Sequence, residues 1–163
     1  MKPIVSDSST LIVLLDTGYF PLLFDLFDSL CITDEVWEEI TYRADHRATI
    51  GHRIEEGTLR RCSLPHDDPL RAMLRLRLDR GEAASIALAK NRGLPLIIDE
   101  RRGRKIAREL GIPIIGFVGI LLKLMEKKHL TRHTALQIVD AAEANDFYLA
   151  PSLKEMIRNY PAH

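Results

Sequence analysis

Pro95-Leu96-Ile97-Ile98-Asp99-Glu100-Arg101-Arg102-Gly103-Arg104-Lys105-Ile106-Ala107-Arg108-Glu109-Leu110 is the stretch on which the fold turns. Leu96, Ile97 and Ile98 have the length and composition of a strand buried on both faces of a parallel sheet. Asp99 ends the run, and Ile106, Ala107 and Leu110 then recur at helical spacing until Gly111, which reads as the C-cap. The unit is strand, acid, basic helix. Ligands of open α/β sheets bind at the carboxyl ends of the strands, so an acid at such an end is a candidate site residue.

Working outward, residues 4–5 open a first strand and Asp7 stands where it gives way to an apolar helix over 11–15. A second helix is expected over 19–27, entered through Gly18 and Pro21, and a second strand over 30–32. Thr33 caps a helix over 34–43 whose apolar stripe is Val36, Trp37 and Ile40. On the helical wheel Glu39 falls nearest that stripe, with Glu35 and Glu38 facing outward. Residues 44–57 read as a polar helix or loop, 59–64 as a third strand and 70–78 as a helix chosen on propensity over alternation. Asp79 and Glu82 have capping-box spacing at the head of a helix apolar nearly all round, from Ala83 to Ala89, ended by Asn91 and Gly93. Beyond the organising stretch, 112–115 is a short strand that Pro113 assigns to a sheet edge. Helices follow over 116–127, after Thr131, and over 152–158. Strands alternating with helices predict an α/β sandwich with a mainly parallel sheet of about four or five strands.

At 163 residues and 46% hydrophobic content, the chain reads as one domain, 1–163, with C-terminal helices over 131–163 packed on it. Cys31 and Cys62 lack any metal-ligand spacing and read as buried hydrophobes of a reducing compartment, and His46 and His52 do not share a helix face. No apolar run approaches the roughly eighteen residues of a membrane span, so a cytoplasmic protein without membrane attachment is expected. The 23 basic and 23 acidic residues cancel, which removes any global attraction to nucleic acid. Local patches must then do the binding, and 101–105 is one, with Arg71, Arg75, Arg77 and Arg80 a second.

Asp7, Glu39, Glu82 and Asp99 each read as a cap or edge residue when taken alone. In a parallel sandwich all four fall at one rim of the sheet. Crowded carboxylates repel and burial raises their pKa, so the set calls for a cation, and oxygen ligands in that number suit Mg²⁺ or Mn²⁺. Metal-assisted phosphodiester hydrolysis is the chemistry that follows. Ser9 stands near enough to Asp7 to bond a carboxylate or a phosphate, while Arg101, Arg102 and Arg104 would hold the phosphate backbone. A receiver-like phosphoacceptor is disfavoured because only serines accompany Asp7 and Ile115 is followed by glycine.

Four segments together resemble the PIN-domain family: Ile4-Val-Ser-Asp-Ser-Ser-Thr-Leu-Ile12, Val36-Trp-Glu-Glu-Ile40, Asp79-Arg-Gly-Glu-Ala-Ala-Ser-Ile-Ala-Leu-Ala89 and Leu96-Ile-Ile-Asp-Glu-Arg-Arg-Gly-Arg104. The likeness spans roughly 4–130 and is closest to a branch with a Gly-Glu-Ala helix and an Asp-x-Arg-x-Gly-Arg helix. It implies a three-layer fold, a small parallel sheet between helices, and a metal-dependent ribonuclease, many members being toxins of prokaryotic toxin-antitoxin pairs. By resemblance the family acids fall on Asp7, Glu39, Glu82 and Asp99, and the hydroxyl neighbour on Ser9. The third acid is commonly aspartate, where this chain has Glu82, and Glu100 stands beside Asp99 as the alternative fourth acid. The expected partners are single-stranded or structured RNA and a small antitoxin protein. A homodimer is also expected, through apolar helices after Gly116 and the edge strand. A PIN fold that binds RNA or protein without cutting is the alternative.

Overall fold

Alternate residues of each strand enter different cores, and this divides the chain into layers. In the computed structural model, which describes residues 3–161, the strands are β1 (Ile4–Ser6), β2 (Leu30–Thr33), β3 (Leu59–Cys62), β4 (Leu96–Ile97) and β5 (Ile114–Ile115). Ile4, Leu30, Ile32, Leu59 and Ile97 enter one apolar core, whereas Val5, Cys31, Cys62, Leu96 and Ile98 enter the other. Buried on both faces, such strands read as continuous apolar runs rather than alternating ones.

All pairings are parallel, in the order β3-β2-β1-β4-β5. The chain moves outward from β1 to β3, then crosses back to lay β4 on the other side of β1. Ser6 pairs with Ile97 in that register, and the Asp7 N–H donates to the Ile97 carbonyl at 2.9 Å. The carboxyl ends of β1 and β4 therefore meet at the point where strand order reverses, the place where ligands bind in open α/β sheets.

The first core is covered by α1 (Ser8–Thr17), α2 (Asp34–Ile40), α3 (Ala44–Glu56), α7 (Phe117–Glu126) and α8 (Arg132–Ala144). The second lies under α4 (Pro69–Leu74), α5 (Arg80–Arg92) and α6 (Arg101–Glu109), and α9 (Pro151–Arg158) packs on α7 and α8. Within α5 every residue from Gly81 to Ala89 is buried, as the all-round apolar pattern requires. Asp79 caps this helix by accepting from the Glu82 N–H at 2.9 Å, and Gly93 ends it at φ +63°. Pro113 lies at the edge as expected, with its carbonyl accepting from Leu96. No helix of the described residues is long and apolar enough to cross a membrane.

Several expectations are corrected. The segment expected as a helix over 19–27 is a six-residue 3-10 turn, Phe20–Asp25, in which Leu22 and Leu26 donate three residues back to Tyr19 and Leu23. Residues 44–57, open between helix and loop, form α3. The apolar stripe of α7 is spent on the core, where Phe117, Ile120, Leu121 and Leu124 are buried, while Leu153 and Met156 of α9 stay exposed. Glu35, expected to face outward, is 7% exposed and lies 3.4 Å from the Arg71 guanidinium. The wheel marks only the stripe that α2 turns to the sheet. It carries no record of α5, which packs on a second flank of the same helix, or of Arg71 from α4.

Candidate active site

Asp7 follows β1 directly and occupies the N-cap position of α1, yet its side chain makes no cap hydrogen bond. Instead it points into a cleft of about 840 Å³ at the strand ends, shared with Ser9, Asp79, Glu82, Asp99 and Glu100 on one side. Arg101, Arg104 and Arg108 of α6 line the same cleft, as do Tyr148 and Leu153. Three of the four acids expected at the rim, Asp7, Glu82 and Asp99, thus converge. Glu39 stands at its margin, held there by the Ser8 hydroxyl, which donates to Glu39 Oε2 at 2.5 Å.

Burial dominates the electrostatics. Asp7 is 5% exposed, and removal from water pushes its carboxyl up to about 7, with Glu39, Asp79 and Asp99 adding repulsion and the Ser8 amide offsetting part of the effect. Glu82 is 7% exposed and is pushed up to about 10, by burial first and then by the adjoining carboxylates of Asp79 and Glu100. Asp79 is lowered, its own burial being outweighed by the Glu82 carboxyl and by the amides of Glu82 and Gly81. Burial beside two acids thus favours the protonated form of Glu82. Burial also raises Asp99, against the opposing effect of the Phe117 N–H, the Thr10 hydroxyl and Arg104. Glu39 is raised too, by burial ahead of its neighbours.

Asp99 and Glu100 divide their work. The Phe117 N–H donates to Asp99 Oδ1 at 2.8 Å and the Thr10 hydroxyl donates to Oδ2, so this carboxylate is fixed between α1 and α7. Glu100 caps α6, its Oε2 accepting from the Gly103 N–H at 2.8 Å. Both nevertheless border the cleft.

Two observations bear on whether a cation fits. Asp7 Oδ1 and Glu82 Oε2 are buried without a hydrogen-bond partner, a costly state that a cation or a proton relieves. Three glycines also leave room for these side chains. A Cβ on Gly81 would collide with the Glu39 carboxylate, one on Gly103 would lie 2.8 Å from Glu82 Oε2, and one on Gly116 would lie 2.9 Å from Asp99 Oδ1 and 2.6 Å from Arg104 Nη1. The donor set is all oxygen, which suits Mg²⁺ or Mn²⁺. Among the described residues no three acidic, histidine or cysteine side chains stand close enough together as they are to hold a metal ion. Mutual repulsion opposes closer approach of these carboxylates, and a bound cation would offset it.

The basic residues separate. Arg104 is partly withdrawn, its Nη1 donating to the Ile98 carbonyl at 2.9 Å, and Arg101 faces the cleft freely. Arg102 turns the other way, toward the Arg77 carbonyl, and borders a neighbouring basic hollow with Arg77, Lys105 and Arg108. In the second basic patch Arg71 faces Glu35 and Arg80 pairs with Glu38, while Arg77 borders the basic hollow beside Arg102.

Sequence reasoning missed Ser8, Thr10, Asp79, Arg108 and Tyr148. Thr10 lies three residues after Asp7 on the first turn of α1, so i, i+3 spacing pointed to it. Asp79 was visible as a cap, and a cap at a strand-end rim is a candidate for the same reason as Asp7. Tyr148 carried no periodic signal.

The family model described as a PIN domain matches residues 3–160. No curated protein matches the chain. Among solved structures, a PilT N-terminus domain protein from the hyperthermophilic archaeon Sulfolobus solfataricus P2 is 17% identical over 76% of this chain and 92% of its own, with a TM-score of 0.45.

Proposed function

This chain belongs to the PIN-domain family, a nuclease fold in general, and from that premise we propose that it is a metal-dependent endoribonuclease. One observation carries the reading. Asp7 and Glu82 each carry a buried oxygen without a partner and line a cleft at the β1/β4 strand ends, with Asp99 and the α6 arginines around it. A protein that only needed stability would not leave two such buried oxygens without a protein partner.

Asp7 and Glu82 are the groups that would hold Mg²⁺ or Mn²⁺, with Asp99, and Glu39 at the margin, completing the acidic set. Glu100, occupied as the α6 cap, is the alternative to Asp99. When bound, such an ion supplies a water of lowered pKa and neutralises charge on the phosphoryl group. Thr10 and the Phe117 amide keep Asp99 in one rotamer, and Ser8 does the same for Glu39. Arg101, Arg104 and Arg108 orient the phosphate, and Ser9 lies within the cleft to hydrogen-bond it. Arg102 contributes to the phosphate path only outside the cleft.

The finer reading, a toxin held inactive by a small antitoxin protein, rests on the sequence resemblance. Induced expression arresting growth, with relief by Asp7→Asn, tests it. The reading as a binding fold without catalysis draws on the wide spacing of the acids. Cleavage of a mixed single-stranded RNA pool in Mn²⁺, Mg²⁺ or EDTA separates the two. Metal-dependent cutting lost in Asp7→Asn and Asp99→Asn supports the nuclease, whereas RNA binding without cutting by a folded wild type supports the binding fold.

A further inference from the structure

Tyr148 is 82% exposed, an unusual position for a tyrosine ring, and among the described residues it makes no hydrogen bond or ring contact. It is not loosely held. The segment between α8 and α9 places its neighbours inward: Phe147 meets the Phe117 ring edge-on at 5.1 Å, and Leu149 is 4% exposed. Two anchored residues thus flank one that faces out, and α9 beyond them is tied to α8 through Lys154 and Glu143 at 3.1 Å. An aromatic ring on a fixed backbone offers a flat face at little entropic cost.

Position gives the ring its meaning. Tyr148 borders the carboxylate cleft and also an adjoining, mainly apolar hollow of about 400 Å³ with Leu153 and Met156, both partly exposed. The basic hollow of Arg77, Arg101, Arg102, Lys105 and Arg108 also adjoins the cleft, sharing Glu100, Arg101 and Arg108 with it. The acidic cleft therefore has a cationic hollow and an aromatic, apolar one as neighbours. A nucleic-acid strand complements both only if its phosphates follow the cations and a base leaves the stack to meet the ring. Paired bases keep their faces covered.

We infer that Tyr148 is a base-stacking platform that selects strands with an unpaired nucleotide beside the phosphate held at the carboxylates. The inference rests on the nucleic-acid reading above and adds its specificity element. Stacking of a base on an aromatic side chain is sequence-tolerant, and removal of the ring typically weakens single-strand binding by roughly ten- to a hundredfold.

The test measures binding, at low salt with Mg²⁺, in an Asp7→Asn background that blocks cutting. The probes are a single-stranded RNA, the same RNA as a duplex, and the single-stranded DNA counterpart. Tyr148→Ala is expected to weaken single-strand binding by about tenfold or more and to leave duplex binding unchanged. Tyr148→Phe and Tyr148→Trp should retain it, and a strand carrying 5-iodouridine should photocrosslink to Tyr148. Equal single-strand affinity in Tyr148→Ala, or an equal loss for the duplex, overturns the stacking role while leaving the nuclease reading intact. Failure of the Asp7→Asn parent to bind any of the three probes removes the nucleic-acid reading and the stacking role together.

Discussion

Replacing Asp7 by asparagine should stabilise the metal-free protein at pH 8 and leave it little changed at pH 3. The carboxyl is raised from an ordinary value of 3.8 to about 7, chiefly by burial. An acid raised in the folded state binds more protons folded than unfolded between those two values, so stability falls as pH rises through that window. Its contribution is fully present below about 3.8 and is gone above about 7. At about 1.4 kcal/mol per pKa unit the cost of ionising it is at most about 4 kcal/mol, and relaxation and water entry bring that to roughly 2. For a chain of this size about 2 kcal/mol is a rise in Tm of roughly 4–8 °C. Thermal unfolding in EDTA, scanned from pH 3 to pH 9 for wild type and Asp7→Asn, measures it. Mn²⁺ inverts the order: at about a hundred times Kd it should stabilise the wild type by roughly 2.7 kcal/mol and do nothing for the variant. An Asp7→Asn protein no more stable than wild type at pH 8 in EDTA would refute the argument from burial, and a wild-type Tm indifferent to Mn²⁺ would refute the argument from metal.

Other substitutions probe the walls of the cleft. Glu82→Gln, which mimics the protonated acid, should leave metal-free stability at pH 7 within about 1 kcal/mol by urea unfolding and should remove the Mn²⁺ response. Gly116→Ala drives a methyl into Asp99 and Arg104 and should cost about 1–3 kcal/mol, whereas Gly51→Ala, in open space within α3, should gain about 0.5–1 kcal/mol. Thr10→Val deprives Asp99 of a donor and should cost about 1–3 kcal/mol in chemical denaturation, with Thr10→Ser restoring most of it. Arg71→Ala leaves buried Glu35 unpaired and should cost about 2 kcal/mol in chemical denaturation.

Much of the local structure was legible because its causes are local. A strand followed by an acid and a basic helix appears in the order of residues 95–110, and the caps at Thr33, Asp79 and Thr131 all accept the amide three residues on. The apolar identity of α5 was equally plain, since a helix buried on every side has no polar face to disguise it. What failed were judgements about which neighbour covers an element. Glu35 and Glu39 lie four residues apart on α2, and against the wheel it is Glu35 that is buried, beside Arg71 of α4, while Glu39 is exposed at the rim. Arg101, Arg102 and Arg104 form one patch in sequence, but successive residues on a helix point about 100° apart, so Arg102 leaves the cleft that Arg101 faces.

The sequence by itself determined the strands, most of the helices and the two acids, Asp7 and Asp99, that follow β1 and β4, because hydrophobic period and capping act over a few residues. Only the tertiary structure decided that β1 and β4 are neighbours and that Glu82, Asp79, Glu100 and Tyr148 line one cleft. Strand order is set by which crossover packs and burial by what lies on top. Both are properties of contacts between segments some ninety residues apart, such as Thr10 with Asp99, which no local pattern records.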